Sequence, residues 1–314
     1  MTNRMTVATS TKHLLSLRDM KHERLLHLLD AAGDLLPIVK GQAPNRDDLN
    51  GKIIANLFLE NSTRTRCSFS VATQRLGGGT IDLLGSLSSA SKGESLLDTA
   101  ANVAAMGVDA IILRCGASGG PAMVANALDL PIINAGDGRH EHPTQGLLDA
   151  LSIVRHLGTT DLKDLRVAIV GDVASSRVAR STVYALASLG ADITLVGPPT
   201  LAPQSMACLL DDLDMQGCVQ VSTSLDNVVP SMDVVMVLRI QFERHGGGGV
   251  PSDYAQHWGL TEARAQSMQD HALIMHPGPV NRGVELDATV CDGPRSLVLD
   301  QVQGGVAMRM AVLL

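Results

Sequence analysis

The sequence predicts an α/β protein of two doubly wound domains, each a mainly parallel sheet flanked by helices, joined by a hinge helix. Three observations predict it. The 314 residues exceed the usual size of one compact domain. Short apolar runs of strand length alternate with longer amphipathic segments, which is the punctuation of βαβ units. Polar runs rich in arginine, histidine and hydroxyl residues follow the predicted strands, and open α/β sheets bind ligands outside the carboxyl ends of their strands.

Amphipathic helix is predicted first, with Leu14, Leu17, Leu25, Leu26, Leu28, Leu29, Leu35 and Leu36 as apolar positions, before a polar link over 41–50. Lys52 to Leu59 reads as a strand. The helix after it carries Phe69, Val71, Ala72 and Leu76 until Gly77-Gly78-Gly79 stops it. Ser86 to Glu94 is a polar loop, Ser95 to Met106 a helix, Ile111 to Leu113 a strand, Pro121 to Leu128 a helix and Ile132-Ile133 a strand. The helix from Pro143 to His156 is the predicted hinge, dividing the chain into residues 1–148 and 149–299. A second series follows, with strands at Arg166 to Val170, Ile193 to Val196, Val219 to Val221, Val234 to Val237 and Ala272 to Met275. Helices at Ser181 to Leu189 and Leu201 to Leu213 separate some of them. The apolar end of the chain, about 300–314, is a helix expected to pack back on the first domain.

Composition narrows the function classes. The formal net charge of −7 opposes a nucleic-acid surface, and 2% aromatic residues leave few platforms for stacking bases. Although 45% of residues are hydrophobic, no apolar run approaches the roughly 20 residues a membrane helix needs. The start Met1-Thr2-Asn3-Arg4-Met5-Thr6 leads into polar residues and not into a signal core, so a cytoplasmic protein is expected. The five cysteines, Cys67, Cys115, Cys208, Cys218 and Cys291, have no Cys-x-x-Cys spacing and are expected as buried thiols.

The run Glu60-Asn61-Ser62-Thr63-Arg64-Thr65-Arg66 joins a strand to a helix. The first amides of a helix lack partners and its dipole is positive there, so an anion is welcome. Ser62 and Thr63 can cap or donate, and Arg64 and Arg66 add guanidinium forks that match phosphate oxygens. Arg114 stands at a strand end, where it serves either a surface ion pair or, with His142, a carbonyl oxygen. His140 and His142 alternate with Glu141 but form no His-Glu-x-x-His pattern, and no metal is expected. The turn Val170 to Arg177 has Gly171 as its only glycine, which opposes a dinucleotide and leaves Arg177 as a carboxylate fork at a helix start. Arg239 and Gln241 lie on one side of another strand end. Two arginines in the second domain, Arg177 and Arg239, suit a substrate with two carboxylates. His276-Pro277-Gly278-Pro279 is a stiff turn whose carbonyls accept hydrogen bonds from an amine or amide.

Taken together these runs resemble the aspartate and ornithine carbamoyltransferase family from about Thr11 to Leu314. Ser62-Thr63-Arg64-Thr65-Arg66 is similar to its carbamoyl phosphate signature. His142-Pro143-Thr144-Gln145, His276-Pro277-Gly278-Pro279 and Arg239-x-Gln241 resemble the aspartate branch, since the ornithine branch typically has cysteines in the first two.

The resemblance implies transfer of the carbamoyl group of carbamoyl phosphate to L-aspartate in pyrimidine synthesis, without cofactor or metal. It implies that Ser62, Thr63, Arg64 and Thr65 hold the phosphate. Thr65, Arg114 and His142 would polarise the carbamoyl oxygen, and Gln145 with the carbonyls of Pro277 and Gly278 would orient the carbamoyl amide. Arg177, Arg239 and Gln241 would hold aspartate. Ser88 and Lys92 are similar to loop residues that members lend to a neighbouring subunit, which implies a homotrimer with shared sites in which Lys92 meets both substrates. Glu60 is similar to the acid that links the domains on closure, here paired with Arg177 and Arg244. The segment Val280-Asn281-Arg282-Gly283 departs from relatives that carry a basic residue directly after the proline-rich turn. It resembles bacterial members that associate with dihydroorotase chains, and a separate regulatory chain is the other partner the family implies.

Overall fold

A computed structural model describes residues 12–85, 94–215, 217–242 and 249–314. In chain order the elements are α1 (His22–Val39), β1 (Ile53–Phe58), α2 (Thr63–Arg75), β2 (Gly79–Leu84), α3 (Leu96–Ala105), β3 (Ala110–Cys115), α4 (Gly120–Ala127), β4 (Ile132–Asp137) and α5 (Pro143–Leu157). Then follow β5 (Arg166–Val170), α6 (Arg177–Ser188), β6 (Asp192–Val196), β7 (Val219–Ser222), α7 (Leu225–Val228) and β8 (Val234–Val237). The chain ends with α8 (Tyr254–Trp258), α9 (Glu262–Ser267), β9 (Leu273–Met275), α10 (Ala288–Cys291) and α11 (Val298–Leu313).

Two parallel sheets result, with strand orders β2-β1-β3-β4 and β7-β6-β5-β8-β9. Strands buried on both faces need apolar residues at nearly every position, which is why Ile111-Ile112-Leu113 and Val234-Val235-Met236-Val237 are fully buried. In each sheet the strand order reverses beside the first strand, at β1/β3 and at β5/β8. Those reversals open crevices at the carboxyl ends.

The helices between the sheets make one continuous core. Leu147, Leu148 and Leu151 of α5 pack with Val183 and Leu186 of α6 and with Ala307, Met308 and Ala311 of α11. α11 lies along α1, α5 and α2, elements of the first sheet's layer. Gly146 lets α5 and α6 touch: an added Cβ would stand 2.5 Å from the Ser181 carbonyl oxygen.

Several local expectations change. Leu14 and Leu17 are not helical, because the Leu14 backbone bonds to both sides of Ile133, donating to Ile132 O (3.1 Å) and accepting from Asn134 N (2.8 Å). The predicted helix 201–213 is a 3-10 segment over Gln204–Leu210, opened by Pro203 and followed by an aspartate pair. α6 starts four residues before the predicted Ser181, since Ser176 caps it by accepting from Ala179 N at 3.1 Å. Among the cysteines only Cys115 and Cys291 are buried, while Cys67, Cys208 and Cys218 are exposed. No helix among the described residues is long and apolar enough to cross a membrane.

Candidate active site

A cleft of about 1020 Å³ opens where the carboxyl ends of both sheets meet. Ser62, Thr63, Arg64 and Thr65 line one wall, and Arg114, His142, Gln145, Arg177, Arg239, Gln241, Pro277 and Gly278 line the rest. Six separate chain segments therefore converge on a single volume. Its size suits two small substrates side by side.

The first wall is the start of α2. Ser62 stands at the N-cap without a side-chain cap bond, so its hydroxyl and the first helical amides are available to an anion. Thr65 is buried and Arg64 reaches across the cleft, where a Cβ on Gly278 would lie 3.2 Å from its Cζ. Desolvation, and then the charge of Arg239, lower the Arg64 guanidinium from its ordinary value. Two cations facing one another from different sheets are stabilised by an anion between them. Arg66 departs from expectation: it turns away to an ion pair with Asp82, which also accepts from Asn56 Nδ2 at 2.8 Å, and it does not line the cleft.

Arg114 and Arg177 meet over Gly136, whose φ of +115° and bare Cα admit both guanidiniums. A Cβ there would fall 2.9 Å from Arg177 Nε and 3.2 Å from Arg114 Nη1. Arg114 donates to Ala135 O at 3.1 Å, and Arg177 donates to Glu60 Oε2 at 2.8 Å and to Gly138 O at 3.2 Å. The same Glu60 oxygen lies 3.9 Å from Arg114 Nε. Glu60 thus ties the end of β1 to the start of α6.

His142 caps α5 and is 4% exposed. Its backbone amide donates to Ser181 Oγ at 2.9 Å, and that hydroxyl donates onward to buried Glu141. Burial, then Arg114, Arg177 and Arg309, hold the imidazole well below its ordinary pKa. A neutral imidazole beside Arg114 can donate one N–H to a carbonyl oxygen without giving up a proton. His140 is a structural partner of Asp137 at 2.9 Å, and among the described residues no group of three or more metal-ligating side chains forms.

The turn 276–279 is held from below. Gly278 N donates to His276 Nδ1 at 2.8 Å, so the ring carries its proton on Nε2 and faces Glu285 Oε1 at 3.2 Å. Glu285 also accepts from Asn281, whose Nδ2 donates to Ile240 O at 3.0 Å, binding this turn to the Arg239 loop. Arg282, left unassigned by sequence, pairs with Asp292 at 2.7 Å.

Sequence reasoning missed four supporting residues. Glu285 carries no sequence signal. Asp149 is fully buried and sits one helical turn after Gln145, a spacing that announces a contact. Gln301 and Arg309 lie on α11, and an arginine inside the apolar run 306–314 was itself a signal. Arg309 donates to Ser68 Oγ at 2.9 Å and stacks 5.2 Å over Phe69, and burial lowers it to about 10. Ser88, Lys92 and Arg244 lie outside the described residues. Thr144, which carried the branch assignment, is fully buried and does not line the cleft.

Comparison with known proteins places the chain in a family. Two family models match: aspartate/ornithine carbamoyltransferase, carbamoyl-P binding domain, over residues 12–155, and aspartate/ornithine carbamoyltransferase, Asp/Orn binding domain, over 163–314. The aspartate carbamoyltransferase catalytic subunit of Acidothermus cellulolyticus is 48% identical over 307 residues, covering 96% of this chain and 91% of that protein. Aspartate transcarbamoylase from Trypanosoma cruzi, solved in complex with carbamoyl phosphate and aspartate, has a TM-score of 0.87 at 28% identity, covering 97% of this chain and 96% of that one. The catalytic subunit of M. jannaschii aspartate transcarbamoylase has a TM-score of 0.82 at 36% identity, covering 96% of each chain. With both halves matched by the models and a relative of nearly half identity along its length, the chain belongs to the aspartate/ornithine carbamoyltransferase family.

Proposed function

We infer that this chain transfers the carbamoyl group of carbamoyl phosphate to the amine of L-aspartate, giving N-carbamoyl-L-aspartate and phosphate, a step in pyrimidine synthesis. The observation that carries this reading is the cleft in which Arg64 at a helix start faces Arg239 of the other sheet beside a neutral His142. The names of relatives with 46–48% identity and of similar structures holding both substrates support it.

Carbamoyl phosphate is bound by Ser62, Thr63, Arg64 and Thr65 through its phosphate. Arg114, His142 and Thr65 donate to its carbonyl oxygen, and Gln145 with the Pro277 and Gly278 carbonyls takes its amide hydrogens. Aspartate is held by Arg239 and Gln241, with Arg177 shared between substrate and Glu60. The neutral amine attacks the carbonyl carbon, a C–N bond forms, and the oxyanion is met by donors already in place. The C–O bond to phosphate then breaks, and the departing phosphate oxygen can take the amine proton. Positioning and electrostatics carry the rate.

The reading extends to a homotrimer in which Ser88 and Lys92 enter the neighbour's cleft, and to closure of the cleft by Glu60 with Arg177 and Arg244. It divides the chain within α5, residues 1–148 binding carbamoyl phosphate and 149–299 aspartate, with α11 returning to the first part. A cytoplasmic enzyme is proposed, with a regulatory or dihydroorotase chain as its partner, a role that the catalytic-subunit name of its relatives supports. The test is carbamoyl transfer by the purified chain offered L-aspartate or L-ornithine, scoring phosphate and carbamoylated product. Product with aspartate alone is expected. Product with ornithine alone would overturn the acceptor assignment, and none with either would overturn the transferase reading of the isolated chain.

A further inference from the structure

Beneath the cleft, three side chains from α5, α6 and α11 donate to one buried carboxylate. Gln145 Nε2 lies 2.9 Å and Gln301 Nε2 2.8 Å from Asp149 Oδ1, and Thr182 Oγ1 lies 2.8 Å from Oδ2. Asp149 is fully buried, whereas Gln145 and Gln301 both line the cleft. Burial raises Asp149 to about 7, but Oδ1 accepts from both amides whether or not Oδ2 carries a proton toward Thr182, so each amide turns its nitrogen inward. The planar amide of Gln145 then presents Oε1 to the cleft. Gln301 turns its own Oε1 to His276 N at 3.0 Å, fixing the start of the turn that carries the Pro277 and Gly278 carbonyls.

We propose that Asp149 is a positioning residue that makes this corner of the cleft acceptor-only, so that it selects the NH2 of a carbamoyl group over the methyl of an acetyl group. This rests on the carbamoyl transfer reading and deepens it. Acetyl phosphate has the same phosphate and carbonyl oxygen as carbamoyl phosphate and differs only in that group. A corner lined by donors would repel NH2, and a freely turning glutamine would present either end. A site built to hydrogen-bond a substrate N–H rejects the analogue lacking it, because its own polar groups are left unpaired.

The test compares dissociation constants for carbamoyl phosphate, acetyl phosphate and inorganic phosphate in the full-length chain, with kcat and KM for transfer to aspartate. In the unaltered protein carbamoyl phosphate should bind more tightly than acetyl phosphate. Asp149→Ala should lose about tenfold of that preference while inorganic phosphate binds as before, since only the amide corner changes. Asp149→Leu keeps the volume without the acceptors and should behave the same, which keeps the test usable if the smaller side chain unfolds the protein. Asp149→Asn retains an acceptor oxygen for both amides and should keep most of the preference. In a Gln145→Ala background the Asp149→Leu change should add little to the loss of preference, because the residue acts through that amide.

Full preference in a folded Asp149→Leu variant would overturn the proposal. So would equal weakening of all three ligands, which marks a merely structural residue, or additive losses in the double variant. Failure of the unaltered chain to form carbamoyl aspartate would remove the underlying functional reading, an outcome read from activity before any variant is compared.

Discussion

His142 meets the cleft as a neutral imidazole because burial and three nearby arginines all oppose its charged form. The unfolded chain takes up a proton near the ordinary value of 6.5 while the folded chain does not, so the unfolded state binds more protons below that pH. Stability contributed through this residue is therefore present above pH 6.5 and declines as pH falls below it. Denaturant unfolding at pH 7.5 and pH 5 should show this decline, and His142→Gln should show less of it. Arg64 follows a different rule. Among the described residues it pairs with no anion and its neighbour is another cation, so its removal should spare the fold and cost binding and catalysis. Arg64→Ala should lose about 1.5–3 kcal/mol of transition-state stabilisation, roughly 10–150-fold in kcat/KM, with an unchanged thermal melt. Substantial retained turnover in the folded variant would remove Arg64 from the phosphate site.

At the scale of elements, the packing of α5 on α6 sets where His142 and Arg177 begin, since both stand at the starts of those helices. Gly146 is the point of closest approach. Gly146→Ala puts a carbon 2.5 Å from the Ser181 carbonyl oxygen and 2.8 Å from Leu17 Cδ1, which the backbone cannot absorb without moving. Overpacking of this kind costs about 1–3 kcal/mol. A lower melting temperature and a lower kcat are both expected, and a variant with neither would show that the two helices slide freely. Glu60 links the end of β1 to α6 through Arg177. Glu60→Ala should release that guanidinium, raising the KM for aspartate and lowering kcat, while inorganic phosphate binding stays close to that of the unaltered chain. Steady-state kinetics with varied aspartate will decide it.

At the scale of the molecule, two parallel sheets present their carboxyl ends to a common cleft, and neither sheet alone holds the full set of side chains. If Ser88 and Lys92 come from a neighbour, activity is a property of the assembly. Sedimentation of the purified chain should give about three times its 33.0 kDa mass. Mixing the impaired Arg64→Ala and Lys92→Ala chains, then refolding them together, should raise activity above that of either variant alone, because some sites then combine one intact wall with one intact loop. No recovery in mixed trimers would place Lys92 in its own subunit's site.

Much of this was legible in the residues because the signals are local. The parallel strands read as unbroken apolar runs, and the proposed phosphate wall read as hydroxyls and arginine at a helix start, since each depends only on near neighbours. Thus the α/β class, the alternating elements and the cleft-lining Ser62 to Thr65, Arg114 and His142 were legible in local sequence, while Gln145 came through the family resemblance. Arg66 shows the limit, for it shares its motif with Arg64 but is drawn to Asp82, sixteen residues on and a strand away. The anchoring of Leu14 along β4, the Glu285 hinge beneath two loops and the junction of Asp149 with Thr182 and Gln301 were decided only by tertiary structure. A buried polar group must find its partner wherever the packing brings one, and partners 152 residues apart, as Asp149 and Gln301 are, leave no mark on a local pattern.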